Sequence, residues 1–199
     1  MRDPHFYRHL ILWLWCAWAL YWCLTALSSK TTVRREPFTT RLAYAGAVIA
    51  AGLLLIWRDG TWSWLGTRLW PRSFGAYWCG VALLAAGLAF AVWARVHLGR
   101  NWSGSVTVKE GHELIRSGPY AWVRHPIYTG LITAVAGTAI TSGTVRAFIG
   151  LAVLCAALLY KLRAEERFMR ETFPGEYERY SASVPALIPF TKPRRSAPR

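Results

Sequence analysis

The sequence predicts an all-α integral membrane protein with about five transmembrane helices, followed by a C-terminal helix on the cytoplasmic side. Three observations support this fold class. Of the 199 residues, 54% are hydrophobic, including 12 tryptophans. Apolar runs fill most of the chain between residues 9 and 162, and the segments that connect them are basic. Ordinary soluble domains of this length are less apolar, so we interpret the chain as one polytopic membrane domain.

Five apolar runs predict the helices in order: residues 9–27, 42–57, 75–96, 127–140 and 147–162. A straight span needs about 20 apolar residues, with a range of roughly 17–25. The first and third runs have that length, the second and fifth are slightly short, and the fourth is the shortest. Single short runs also occur as buried helices of soluble proteins, but five in succession favour a membrane. Residues 1–28 share features with a signal peptide, although the length of the run and its four tryptophans favour a retained first helix.

The net charge of +14 is distributed unevenly along the chain. Residues 28–41, 95–126 and 161–199 contain 18 of the 24 Lys and Arg residues. The positive-inside rule places these segments in the cytoplasm, and we expect a multi-pass protein of a bacterial inner membrane. Because the membrane accounts for the charge, we expect no nucleic-acid partner. The four cysteines form no C-x-x-C pair, so neither a zinc site, nor any other metal, nor a disulfide framework is expected.

Two polar stretches interrupt the apolar pattern. The loop 95–126 is too long for a plain linker, which indicates a functional segment. Within it, polar and apolar residues alternate over 105–108 and 112–115, as they do in short extended strands. The second stretch, residues 161–180, continues the fifth helix until Pro174 and Gly175 end it. The charge pattern places both stretches on the cytoplasmic side, where they can meet.

Within these stretches, two groups of residues could bind a ligand. Proline is favoured at the first position of a helix, so the fourth helix is expected to begin at Pro126 with His125 as its cap. The N–H groups of such an end attract carboxylate or phosphate, although a simple interfacial cap is the alternative. Glu165 and Glu166 can pair with neighbouring basic residues, or they can balance the positive charge of a partly desolvated ligand.

The motifs in these stretches resemble a known family. Residues 112–130 read H-E-L-I-R-S-G-P-Y-A-W-V-R-H-P-I-Y-T-G, and Glu165-Glu166 is followed by Phe173, Tyr177, Tyr180 and Val184-Pro185. This combination closely resembles the isoprenylcysteine carboxyl methyltransferase family, in particular its short prokaryotic-type members. The resemblance implies a polytopic enzyme whose cytosol-facing loop and last helices bind S-adenosyl-L-methionine.

Carried over residue by residue, the resemblance implies a cofactor pocket lined by His112, Glu113, Leu114, Ile115, Tyr120, His125, Pro126, Ile127, Tyr128 and Glu165. The catalytic candidates within it are His125, Tyr128 and Glu165. An ionised carboxylate acceptor needs no base, whereas a phenol or amine would need His125 or Tyr128. Eukaryotic members have an arginine that contacts the substrate carboxylate at the position of Lys161 here, so Lys161 and the nearby Arg163 are the substrate candidates.

The sequence therefore predicts a methyltransferase that uses S-adenosyl-L-methionine and acts on a lipid or lipid-like acceptor in the bilayer, by O-methylation of a carboxylate. Residues 1–73 would form an N-terminal two-helix portion, residues 74–190 the catalytic portion and residues 191–199 a basic disordered tail. A fourth helix of 14 residues would be about 21 Å long against a core of roughly 30 Å, which predicts lateral access at headgroup level. The alternatives are an NADPH-dependent enzyme of the sterol-reductase type and a non-catalytic membrane scaffold. Reductases of that type share the R-H-P-x-Y-x-G element but usually have an acidic residue directly after its glycine, where this chain has Leu131.

Overall fold

The computed structural model of the chain describes residues 4–26, 34–35, 38–56, 63–99, 107–108 and 114–191. These residues form six α-helices: α1 Pro4–Ala26, α2 Phe38–Ile56, α3 Phe74–Leu98, α4 Pro126–Ser142, α5 Val145–Thr172 and α6 Glu176–Ser183. Two 3₁₀-helices occupy Ser63–Gly66 and Gly118–Ala121, and the two-residue strands β1 (Arg34–Arg35) and β2 (Thr107–Val108) pair antiparallel. The fold is therefore helical, with one small strand pair.

The described residues of each of the five predicted apolar runs lie in a separate helix, α1 to α5. The fourth helix has 17 residues, more than the 14 predicted, because Pro126, Thr141 and Ser142, which flank the apolar run, are also helical. The extended piece predicted at residues 105–108 is confirmed for Thr107–Val108, whereas Leu114 and Ile115 are not in a strand. His112, Glu113 and the predicted tail from residue 192 lie outside the described residues.

Within the described part of the chain, two helices, α3 and α5, are long and apolar enough to cross a membrane. The apolar stretches of α1 and α2 are shorter, at His9–Thr25 and Tyr44–Leu55. Large apolar side chains are nevertheless exposed on α1, α2 and α3, among them Trp13, Leu42 and Trp93. Such faces are suited to lipid contact, but the predicted number of five spans stays a prediction.

Helices α3 and α4 pack with their backbones in close contact. A Cβ atom built on Gly130 would lie 2.5 Å from the carbonyl oxygen of Gly87, and one built on Gly137 would lie 2.4 Å from that of Gly80. The glycines of each helix are seven residues apart, about two turns, so they recur on the same face. Small residues allow helices to approach in lipid, and this contact fixes the start of α4 against the second half of α3.

The other helices surround this pair. Helix α2 packs on α5, where a Cβ on Gly150 would lie 3.1 Å from the carbonyl oxygen of Ala51. Helix α1 is tied to α4 by the Trp15 indole, which donates to Thr138 Oγ1 at 3.1 Å. The buried Arg95 in the last turn of α3 donates to the carbonyl oxygen of Thr25 at 2.7 Å. The C-terminal ends of α1 and α3 therefore lie together.

Candidate active site

The segment before α4 is shaped by a glycine and a proline. Gly118 has a φ of +58°, and a Cβ there would lie 2.7 Å from the His97 ring, so glycine satisfies both the backbone and the close approach. The 3₁₀-helix that follows buries Tyr120. As predicted, His125 is the N-cap of α4 and Pro126 its first residue. The His125 side chain makes no capping hydrogen bond and instead lies against two carboxylates of α5.

The predicted catalytic residues meet in one cluster between α4 and α5. The Tyr128 hydroxyl donates to Glu165 Oε1 at 2.5 Å. The two imidazole nitrogens of His125 face different carboxylates: Nδ1 is 3.5 Å from Glu165 Oε2, and Nε2 is 3.4 Å from Glu166 Oε1. The His125 and Tyr128 rings are stacked with centroids 5.5 Å apart. The predicted convergence of the loop and the last long helix is confirmed by these contacts.

An arginine completes the buried charges. Arg124 Nε donates to Glu166 Oε1 at 2.8 Å, and a second nitrogen of its guanidinium also donates to this oxygen. Both side chains are only 10% exposed. A buried carboxylate is costly unless it is paired and hydrogen-bonded, and Arg124 together with His125 meets that need.

The carboxylates determine the charge of the histidine. Burial alone would lower the pKa of His125, but contacts with Glu165 and Glu166 outweigh burial and leave this pKa above its ordinary value. The imidazole is therefore stabilised in its cationic form. Burial raises the pKa of Tyr120 and of Tyr180, so both phenols stay neutral, and the Tyr180 hydroxyl donates to the carbonyl oxygen of Tyr120 at 2.6 Å.

Residues 184–187, which we call the C-terminal strap, close the cluster from the other side. The backbone N–H groups of Arg124 and His125 donate to the carbonyl oxygens of Pro185 and Ala186 at 2.9 and 3.0 Å. Thr129 Oγ1 donates to the carbonyl oxygen of Leu187 at 2.7 Å. The Arg124 guanidinium also donates to backbone carbonyls at the end of α6 and the start of the strap. The turn before α4 thus obtains its backbone partners from the end of the chain.

Only one of the two predicted substrate residues lies at the cluster. Lys161 Nζ is 3.6 Å from Glu165 Oε1, 4.8 Å from the centroid of the Tyr44 ring and 5.6 Å from that of Tyr128. Arg163 is exposed, and two residues along a helix correspond to about 200° of rotation. Arg163 therefore points away from the face that carries Lys161.

The predicted cofactor-binding residues differ in burial, and two of them are not described. Tyr120, Pro126 and Tyr128 are buried, and Leu114 and Ile115 are half-buried. Ile127 packs against the hydrophobic cluster that includes Tyr128 and Leu158. The other two, His112 and Glu113, lie outside the described residues.

Several residues of the cluster were not among the predicted site residues. Arg124 stands next to the predicted His125, and its charge was the signal that could have identified it. Glu166 was considered with Glu165 as a partner for a cationic ligand but was not assigned to the pocket. Tyr44 and the strap are distant in sequence from His125. Val184-Pro185 belongs to the motif that carries the family resemblance, but no local pattern marks Tyr44 as a partner of the cluster.

Comparison with known proteins relates this geometry to a family. Residues 80–171, from α3 to the last turn of α5, match the isoprenylcysteine carboxyl methyltransferase (ICMT) family. The chain is 31% identical to the nickel-cobalt-cadmium resistance protein NccN of Alcaligenes xylosoxydans xylosoxydans over 56% of this chain and 52% of that protein. It is 33% identical to the protein-S-isoprenylcysteine O-methyltransferase of Schizosaccharomyces pombe over 49% of this chain and 42% of that enzyme.

The fold agrees with the sequence match. The structure of the eukaryotic intramembrane Ras methyltransferase ICMT superimposes with a TM-score of 0.54 at 21% identity, covering 74% of this chain and 52% of that chain. The chain spans about half the length of the first curated relative that it matches. The matched region contains α4, most of α5 and the whole cluster of Arg124, His125, Tyr128, Lys161 and the two glutamates. Residues 80–171, just under half of the chain, are therefore similar to the isoprenylcysteine carboxyl methyltransferase family, and the helices α3 and α5 of this region are long and apolar enough to cross a membrane.

Proposed function

We propose that the protein is an S-adenosylmethionine-dependent membrane methyltransferase that O-methylates the carboxylate of a lipid-like acceptor. The observation that carries the proposal is the buried cluster at the start of α4, where His125, Tyr128 and Glu165 meet within the region that matches the family. The family supports methyl transfer, and the cofactor and the acceptor are part of the proposal.

The cluster contains positively and negatively charged side chains, and this cofactor needs both because it carries charges of both signs. S-adenosylmethionine carries a carboxylate together with an ammonium and a sulfonium. The start of α4 and the cationic His125 suit the carboxylate. Among the described residues, His125 Nε2 is buried and makes no hydrogen bond of good geometry, although Glu166 lies nearby. Glu165 suits a cationic group, and at 23% its side chain is more exposed than the 10% of His125 or Glu166. The residues therefore fit the cofactor.

The residues of the chain would act by binding and orientation. When bound, S-adenosylmethionine supplies a methyl group that a carboxylate oxygen takes up while the carbon–sulfur bond breaks and sulfur keeps the electron pair. Lys161 would hold the acceptor carboxylate in line. Tyr128 holds Glu165 in place through its hydroxyl. Alignment and exclusion of water are the main sources of rate in such a displacement.

The position of the cluster favours an acceptor that comes from the bilayer. Helix α4 has 17 residues, about 26 Å against a hydrocarbon core of roughly 30 Å. Its first turn, with His125, would therefore lie close to the headgroups. A lipid tail could stay in hydrocarbon while its carboxylate reaches Lys161.

Binding of the product S-adenosylhomocysteine tests the cofactor site. We expect the wild type to bind it in calorimetry, and His125→Ala and Glu165→Gln to lose at least tenfold in affinity. Arg167→Gln, which changes an exposed charge of the same helix, is the control and should bind normally. Normal binding by both site variants in folded form would refute the assignment. Binding of NADPH in place of S-adenosylhomocysteine would instead support a reductase.

A panel of carboxylic acids of increasing alkyl length tests the acceptor class. With labelled S-adenosylmethionine, we expect methyl transfer to rise steeply with chain length, because each buried CH₂ contributes about 0.8 kcal/mol. A flat response or a preference for the shortest acid would contradict a lipid-like acceptor.

A further inference from the structure

We infer that Tyr44 of α2 is a positioning residue that holds Lys161 for an anionic acceptor, so that α2 takes part in acceptor recognition. The inference rests on the proposed function. Tyr44 lies outside the region that matches the family. It is connected to the cluster by the contact of its ring with the Lys161 ammonium.

The environment of Lys161 is unusual for a lysine near the polar end of a long helix. Such side chains normally extend toward water, but that of Lys161 is only 13% exposed. Its ammonium lies 4.8 Å from the centroid of the Tyr44 ring and 5.6 Å from that of Tyr128. Both distances are within the range of a cation–π contact. The lysine is therefore held between one ring from α2 and one from α4.

The packing of α2 on α5 explains why Tyr44 reaches this place. Ala51 of α2 meets Gly150 of α5 at close range. Tyr44 precedes Ala51 by two turns, and Lys161 follows Gly150 by three turns, so both lie on the faces that are in contact. The helices run in opposite directions along this contact, which brings Tyr44 beside Lys161. The glycine and alanine allow the approach that the cation–π contact needs.

An aromatic ring holds a cation differently from a carboxylate. The ring attracts the ammonium but carries no net charge, so the positive charge of Lys161 remains available to an anion. Glu165, at 3.6 Å, competes for the same ammonium. Tyr44 therefore keeps Lys161 in position for a second carboxylate. This arrangement should distinguish an acid acceptor from its uncharged methyl ester, which is the product of the proposed reaction.

The test measures this distinction without turnover. N-acetyl-S-prenylcysteine, as the free acid and as the methyl ester, is titrated into detergent-solubilised protein saturated with S-adenosylhomocysteine. We expect the wild type to bind the acid more tightly than the ester. Tyr44→Leu should reduce this preference by roughly 2- to 30-fold, the range of a cation–π contact, and leave the affinity for S-adenosylhomocysteine unchanged. Tyr44→Phe keeps the ring and should retain the preference, while Lys161→Met should abolish it.

Three results would overturn the inference. The first is a Tyr44→Leu variant that keeps the full preference for the acid. The second is equal weakening of acid and ester binding in that variant, which would indicate a packing role alone. The third is a wild type that does not prefer the acid. The proposed function is judged separately, because it fails if S-adenosylhomocysteine does not bind or if none of the acids in the panel is methylated.

Discussion

At the scale of single residues, the site depends on buried charges that satisfy one another. Arg124, His125 and Lys161 face Glu165 and Glu166, and each of these side chains is mostly buried. Removing one partner of a buried pair leaves the other charge uncompensated, which costs more than the pair contributes. Substitutions here should therefore affect folding as well as ligand binding.

Arg124→Leu should destabilise the protein by up to about 3–5 kcal/mol, because the buried Glu166 would keep only His125 and the half-exposed Arg170, which donates to its Oε2 at 3.2 Å, as partners. The matched control is Arg116→Leu, which removes the pair with Glu176 at 2.9 Å, where the side chains are 51% and 37% exposed. That change should cost no more than about 1 kcal/mol. Unfolding in mixed micelles with increasing SDS measures both. Equal losses in the two variants would contradict the role of burial.

The raised pKa of His125 gives a pH dependence of defined sign. Its cationic form faces Glu165 and Glu166, with Lys161 of α5, Tyr128 of α4 and Arg124 of the preceding turn close by. Because folding raises the pKa of His125, protonation of this histidine stabilises the folded state. The stabilisation is complete below the pKa of the unfolded chain, about 6.5, and is lost as the pH rises through the pKa in the folded protein.

The thermal midpoint of the wild type should therefore exceed that of His125→Gln most near pH 6, and the difference should shrink toward pH 9. Differential scanning fluorimetry across this range measures the difference. A gap that stays constant or widens with rising pH would show that the imidazolium does not stabilise the fold.

At the scale of elements, the α3–α4 contact sets the position of the site. Helix α4 carries His125 at its start and Tyr128 one turn later, so any shift of α4 relative to α3 moves both. The glycines leave no space for such a shift, since added Cβ atoms would meet backbone atoms of the other helix.

Gly130→Ala should therefore lower stability by about 1–3 kcal/mol, as overpacking does. For a chain of this length that corresponds to a fall of about 2–12 °C in the thermal midpoint. It should also weaken S-adenosylhomocysteine binding. Gly46→Ala in α2 is the control, because nothing lies within 4 Å of the added methyl group; it should be neutral or slightly stabilising. A neutral Gly130→Ala would mean that the helices can separate at little cost.

The same helices show what the sequence could predict. Apolar runs located α1 to α5, and Pro126 located the start of α4, because both signals are local. The length of α4 was underestimated, since Thr141 and Ser142 end the apolar run but stay helical. The pairing of Arg34–Arg35 with Thr107–Val108 joins segments more than 70 residues apart. Such a pairing depends on the packing of the intervening helices, and no short pattern records it. Tyr44 escaped prediction for the same reason.

At the scale of the whole molecule, the polar stretches gather at one end. His97 at the end of α3 contacts Ser117 at 2.9 Å, and the strap and α6 cover the turn before α4. Arg72, just before α3, lies at the opposite end of that helix. The positive-inside rule predicts the cytoplasm for the end that carries Ser117.

Single cysteines at Ser117 and Arg72, in a background without the four native cysteines, test this orientation. A membrane-impermeant maleimide should label the cysteine at position 117 only in inverted vesicles and the one at 72 only in right-side-out vesicles. Both positions are exposed, so access to the reagent is not limited by packing. Labelling of both from one side would contradict a membrane crossing by α3, and the reverse pattern would contradict the cytoplasmic assignment.

The C-terminal strap has a consequence for how the protein is made. Arg124 precedes its carbonyl partner Val184 by 60 residues, which a ribosome adds in about 3–12 s. Throughout that interval the turn before α4 has been synthesised while its backbone partners do not yet exist. Arg124 therefore stays hydrated until the strap and Glu166 are available, and it is buried only afterwards. The end of the molecule that carries the proposed site can thus mature only after the strap has been made, and a nascent chain halted before residue 184 would carry an unfinished site.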